Sequence, residues 1–110
     1  LPAWVVSTME AKYGPLRGRT VALLGMAFKA ESDDIRSSLS YKLKRLLHWA
    51  GATVHCTDPY VEDPRLVPLE YALEHSEIVV IGAPHRRYRE LDLSQREVVD
   101  IWGLDGRFRA

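Results

Sequence analysis

A chain of 110 residues, 46% hydrophobic and 27% charged, has the size and composition of one globular domain with a single core. Its 15 basic and 15 acidic residues cancel, which leaves no overall field to hold a polyanion and argues against nucleic-acid binding. No apolar stretch approaches the ~20 residues that cross a bilayer, no secretory signal opens the chain, and a single cysteine, Cys56, excludes an internal disulfide framework and fits a reducing, cytoplasmic setting.

Pro2 at a first helical turn, followed by Val5, Val6 and Met9, predicts a helix to about Tyr13, stopped by Gly14-Pro15. Leu1 is not a methionine, so the chain is expected to be part of something longer, with this helix beginning further upstream. After a linker, Leu16 to Arg19, a short apolar run from Thr20 to Gly25 reads as a buried strand. A polar loop then extends to Arg36, and Ser37 or Ser38 is placed to cap the next helix. In that helix Leu39, Leu43, Leu46, Leu47 and Ala50 share one face, and Gly51 ends it.

A second strand, Ala52 to Thr57, closes on Asp58-Pro59. Tyr60 to Leu66 reads as a loop, and Pro68 starts a short helix to Glu74 or His75. Glu77 to Ala83 is apolar enough for a strand buried on both faces. His85 to Leu93 is polar, with a basic cluster, and is expected to be a solvated loop. Glu97 to Trp102 supplies a last strand, and Gly103 to Ala110 carries little pattern. Strands alternating with helices predict an α/β fold: a Rossmann-like three-layer sandwich around a mainly parallel sheet.

Ligands of such sheets bind beyond the carboxyl ends of the strands, which puts the loop from Gly25 to Arg36 first. A dinucleotide site needs G-x-G-x-x-G there, and this loop has Gly25 alone before Met26-Ala27-Phe28-Lys29. Asp58 does stand where such folds often keep an acidic residue for a ribose. The loop suits a phosphate better, with Lys29 as a point charge, Arg36 as a forked donor and a helix N-terminus near Ser37. The plainer alternative is that Asp33, Asp34 and Arg36 pair with one another on a solvated loop. Cys56, inside a strand, reads as a small core residue. His48, His55, His75 and His85 have no metal-ligand spacing.

The string LLGMAFKAESDDIRSSLSYKL, followed by GATVHCTDPYV, EIVVIGAPH and VVDIWG, resembles the C-terminal domain of the UDP-glucose/GDP-mannose dehydrogenase family. Phe28-Lys29 and Asp34 to Ser37 carry the most specific part of that likeness. The resemblance implies residues 1–15 as the end of a central linker helix and 16–110 as a UDP-sugar-binding domain. The parent would be an NAD-dependent enzyme of polysaccharide biosynthesis, oxidising the sugar C6 hydroxyl of a UDP-sugar to a carboxylate. NAD would be held by an N-terminal domain, the catalytic cysteine by a central one, and the parent would be a homo-oligomer with no membrane or nucleic-acid partner. Neither the NAD motif nor the catalytic-cysteine motif lies in this sequence, so the chain alone is expected to be inactive. Phe28 and Lys29 would line the UDP site, with Asp34 and Arg36 shaping the same loop. Many members carry Arg or Lys where this chain has Trp102, which is expected as a structural anchor ahead of a stacking platform. VVDIWG sits closer to the subgroup acting on UDP-N-acetyl-hexosamines, such as UDP-N-acetyl-mannosamine dehydrogenase. The alternative is a stand-alone nucleotide-binding or regulatory module of the same fold, without catalysis.

Overall fold

A computed structural model of the chain describes residues 2–27, 31, 33–35, 38–93 and 96–101. The elements run α1 (Pro2–Tyr13), β1 (Thr20–Leu24), α2 (Leu39–Trp49), β2 (Thr53–Thr57), α3 (Leu69–Glu74), β3 (Ile78–Ile81), α4 (Arg86–Arg89) and β4 (Glu97–Asp100). The four strands form one sheet in the order β2-β1-β3-β4, and every pairing is parallel.

The period of two along each strand sorts the core into two layers. On one side Val21, Leu23, Cys56, Ile78, Val80 and Val99 pack with Val5 and Met9 of α1 and Leu43 and Leu47 of α2. On the other, Ala22, Leu24, Val79, Ile81 and Val98 pack with Leu69 and Ala72 of α3 and Tyr88 of α4. Both faces of β1 and β3 are therefore covered, and a strand that meets apolar layers on both sides must be apolar throughout. The three-layer arrangement expected from the alternating pattern is the one found.

Chain direction explains which helix lies where. β2 is placed on one flank of β1, and β3 on the other. Since parallel crossovers keep one hand, reversing the direction of travel after β2 sends α3 and α4 to the face opposite α2. The reversal falls between β1 and β3, so their carboxyl ends form the switch point of the sheet.

The Leu43–Leu47 stripe buries α2, and Ser38 caps it in an extended conformation, its hydroxyl accepting from Ser40 N at 3.1 Å. Val5 and Met9 bury α1 in the same apolar cluster, each side chain contributing roughly 1.5–3 kcal/mol by leaving water. Trp4 and Trp49 remain exposed on the outer side of this helix layer. Among the described residues, no helix is long and apolar enough to cross a membrane.

One expectation needs correction. The segment from His85 is no solvated loop: Arg86–Arg89 makes a helical turn, His85 is 0% exposed and Tyr88 2%. The side chains of Arg86, Arg87 and Arg89 face water, as do Glu90 and Asp92 beyond the turn. A single turn is too short to show helical periodicity, and the three arginines mask two inward-facing rings.

Candidate functional site

At the switch point the two strand ends are drawn together by one side chain. Ser40, fully buried in the first turn of α2, donates its hydroxyl to Gly25 O at 2.6 Å, with Gly82 O at 3.1 Å. Ser38 donates to Met26 O at 2.8 Å while its oxygen caps the helix. Two hydroxyls two residues apart thus fasten the start of α2 to the β1 and β3 ends. Glycine is required at both ends. Gly25 has φ 96°, and a Cβ there would lie 2.6 Å from Ala83 Cβ and 2.7 Å from Ala83 N. A Cβ on Gly82 would collide with Ser40 Oγ and lie 2.8 Å from Gly25 O.

Asp58, at the end of β2, is the centre of the polar network. Its side chain is fully buried. Oδ2 accepts from Met26 N at 2.7 Å and Ala27 N at 3.1 Å, and Oδ1 accepts from Tyr60 N at 2.7 Å. His85 Nε2 approaches Oδ2 at 2.9 Å. Burial pushes this carboxyl upward, and the hydrogen bonds from His85, Tyr60 and Met26 more than reverse it, holding it below the usual carboxylate range. The acid that sequence position suggests for a ribose is consumed by the protein's own backbone.

His85 carries the network onward. Glu31 N donates to its Nδ1 at 2.8 Å. A backbone N–H can only donate, so Nδ1 must be the unprotonated nitrogen and the ring proton sits on Nε2, directed at Asp58. Glu31 has φ 47°, a left-handed conformation that costs a side-chain-bearing residue energy. Its carboxylate is tied down as well, Oε2 accepting from Arg86 N at 2.7 Å and Oε1 lying 3.2 Å from Arg86 Nε. The backbone N–H of Arg86 is the chief cause that keeps the Glu31 carboxyl below its ordinary range.

Of the residues that the sequence singles out, Asp34 is half-buried on this loop. Phe28, Lys29, Arg36 and Trp102 lie outside the described residues. Asp58 and His85 organise the loop, and sequence reasoning missed that role. The usable signal was an Asp-Pro and a Pro-His placed straight after two apolar strands. Beside Asp58 a cavity of about 270 Å³ opens between the β2 end and the opposite helix layer, walled by Pro59, Val67, Leu69, Arg87 and Tyr88.

Two chemistries are ill matched to the residues present. A dinucleotide is poorly served, since the sequence has one glycine where the glycine-rich turn has three and the Asp58 oxygens are already engaged. Cys56 is no nucleophile: buried and free, its thiol is pushed up to about 11 by burial, far from a thiolate at neutral pH. Among the described residues, no group of three His, Cys, Asp or Glu side chains is placed to hold a metal ion.

A parallel sheet whose polar network gathers at the carboxyl ends of β1, β2 and β3 defines a Rossmann-like domain. Residues 22–106 match the family model described as UDP-glucose/GDP-mannose dehydrogenase family, UDP binding domain, and the chain belongs to that family. It is 28% identical over 114 residues to the NDP-N-acetyl-D-galactosaminuronic acid dehydrogenase of Ralstonia solanacearum, covering 94% of this chain and 27% of that enzyme. The UDP-N-acetyl-D-mannosamine dehydrogenase of Methanocaldococcus jannaschii is 36% identical over 74 residues, or 66% of this chain and 17% of its own length. The solved UDP-glucose dehydrogenase of Pyrobaculum islandicum superposes with a TM-score of 0.76 at 36% identity, covering 90% of this chain and 25% of that one. The chain therefore spans about a quarter or less of these relatives, and they include both N-acetyl-hexosamine and glucose enzymes.

Proposed function

We propose that the chain is the UDP-sugar-binding part of an NAD-dependent nucleotide-sugar 6-dehydrogenase, which oxidises a sugar C6 hydroxyl to a carboxylate in two steps for polysaccharide biosynthesis. The observation that carries this reading is the family match over residues 22–106, which includes the Phe28-Lys29 and Asp34 to Ser37 motif on the β1–α2 loop. NAD and the catalytic cysteine belong to the remainder of such a protein, which would work in the cytoplasm as a homo-oligomer. Residues 1–15 then form the end of the linker helix, and 16–110 the nucleotide domain.

In this reading Phe28 and Lys29 line the UDP moiety, with Lys29 contributing a charge-assisted contact to its phosphates. Asp34 and Arg36 shape the loop, and Trp102 anchors the last strand. Hydride transfer and the work of the catalytic cysteine then fall to the rest of the protein. What this chain supplies is binding energy from the nucleotide, remote from C6, spent on holding the sugar in a reactive orientation. Buried, unreactive Cys56 supports placing the nucleophile elsewhere.

The test is calorimetry with UDP on the full gene product. Lys29→Ala is expected to weaken binding by roughly 1.5–3 kcal/mol, the worth of a hydrogen bond to a charged group. Equal affinity of variant and parent removes the assignment.

A further inference from the structure

We propose that His85, acting with Asp58, is a positioning residue for the UDP-binding loop: together they fasten the backbone on both sides of Phe28-Lys29. The proposal rests on the reading of that loop as the UDP site. It draws its support from described residues alone.

The fastening has two ends. Upstream, Asp58 Oδ2 takes the N–H groups of Met26 and Ala27. Downstream, His85 Nδ1 takes the N–H of Glu31. Both ends meet in one unit, because His85 Nε2–H and Asp58 Oδ2 are themselves joined at 2.9 Å. The side chains of that unit are fully buried: Asp58 directly follows β2, and His85 stands just beyond β3 at the start of α4. Both anchor points, Ala27 and Glu31, are thereby fixed relative to one another.

Glu31 shows that the fastening bears a load. Its left-handed backbone costs about 1–3 kcal/mol and persists only where surrounding contacts over-determine it. Two such contacts are present: the Glu31 N–H on His85, and the Glu31 carboxylate on Arg86 N. His85 has a specific chemical duty here. It must accept at Nδ1 and donate at Nε2 at once, which the neutral imidazole does with a single proton.

That duty separates two amide substitutions. In His85→Asn the amide oxygen falls near the Nδ1 position, so it still accepts from Glu31 while contact with Asp58 is lost. In His85→Gln the amide reaches toward Asp58, and Glu31 N–H loses its acceptor. Both remove the ring, and the shorter Asn leaves the larger void, so a purely space-filling role for His85 would make Asn the more damaging of the two, the reverse of the order a positioning role gives.

The experiment uses the full gene product, with UDP affinity by calorimetry and hydrogen exchange of the peptide containing Glu31. His85→Gln is expected to raise the UDP Kd about tenfold or more and to unprotect that peptide, while His85→Asn, which keeps the Glu31 acceptor and gives up the Asp58 contact, stays within about threefold of the parent. Equal affinity and equal exchange in the two variants, or His85→Asn the more damaging, with Lys29→Ala still weakening UDP, overturns the positioning role and leaves the site reading standing. Unchanged affinity in Lys29→Ala fells the site reading, and the positioning claim with it. Should either His85 variant fail to fold, the parent decides: exchange at Glu31 as fast as in an unstructured peptide overturns the anchor, and protection of it upholds the anchor.

Discussion

Removing the Asp58 carboxylate should cost far more than removing an exposed acid, and the amount follows from the bonds it accepts. Three backbone N–H groups and one imidazole N–H end on it, all within 3.1 Å. In Asp58→Asn the amide oxygen can take the place of Oδ2 and keep Met26, Ala27 and His85. The amide NH₂ then faces Tyr60 N–H, donor against donor. One charge-assisted bond is lost, about 1.5–3 kcal/mol. Asp58→Ala strands all four donors in a buried setting, and at ~1–1.5 kcal/mol each the loss reaches roughly 4–6 kcal/mol. That is comparable to the whole stability of many domains, ~5–15 kcal/mol. Urea unfolding followed by far-ultraviolet circular dichroism measures both variants. The expected order is parent, then Asn, then Ala. Asp58→Ala costing under about 1 kcal/mol would refute the hydrogen-bond accounting, since no orphaned buried donor is that cheap.

The same carboxylate predicts a pH dependence with a definite sign. Its folded-state pKa lies below the unfolded value of about 3.9. The unfolded state therefore binds the proton more readily, and the Asp58 contribution is complete above pH ~4 and lost as pH falls through the folded pKa. Asp58→Asn should flatten that acid limb in urea midpoints taken from pH 6 down to 3. Gly25→Ala is expected to destabilise by about 2–3 kcal/mol in the same assay, because the new methyl meets Ala83 backbone and side chain in a conformation L-residues avoid; a loss under about 0.5 kcal/mol would contradict that close approach. Cys56 should react with a thiol reagent at pH 7.5 at least ~100-fold more slowly in the native protein than in urea, given burial and a pKa of about 11. Labelling at the unfolded rate would place it at the surface.

Most of the fold could be read from residues because its signals are local. The apolar runs of β1 and β3, the Leu43–Leu47 stripe of α2 and a serine cap at 37 or 38, which the structure assigns to Ser38, each declare themselves within a dozen positions. The loop motif at Phe28-Lys29 was equally legible as a family likeness. What stayed hidden depends on partners distant in sequence. Asp58 looks the same whether it awaits a ribose or holds Met26 and Ala27. His85 amid Arg86, Arg87 and Arg89 looks solvated until β3 delivers it to Asp58. Ser40 reads as a polar position on a helix, and only the meeting of Gly25 with Gly82 gives its hydroxyl a task.

The all-parallel sheet has a kinetic side. Among the described residues no strand pair closes through a hairpin, and even the pairing nearest in sequence, Ile78 with Glu97, needs an intervening turn of helix and loop. The central pairing of β1 with β3 joins residues separated by β2 and its two crossovers, so it closes the longest loop of the three pairings. Strand zipping thus has no cheap first step, and loop closure must be met before any ladder forms. The capped α2, which forms from neighbours in sequence, is the natural early structure, docking on β1 and β2 to bring them into register. Folding slower than that of a helical bundle follows, with closure of the crossovers, not formation of α2, setting the pace.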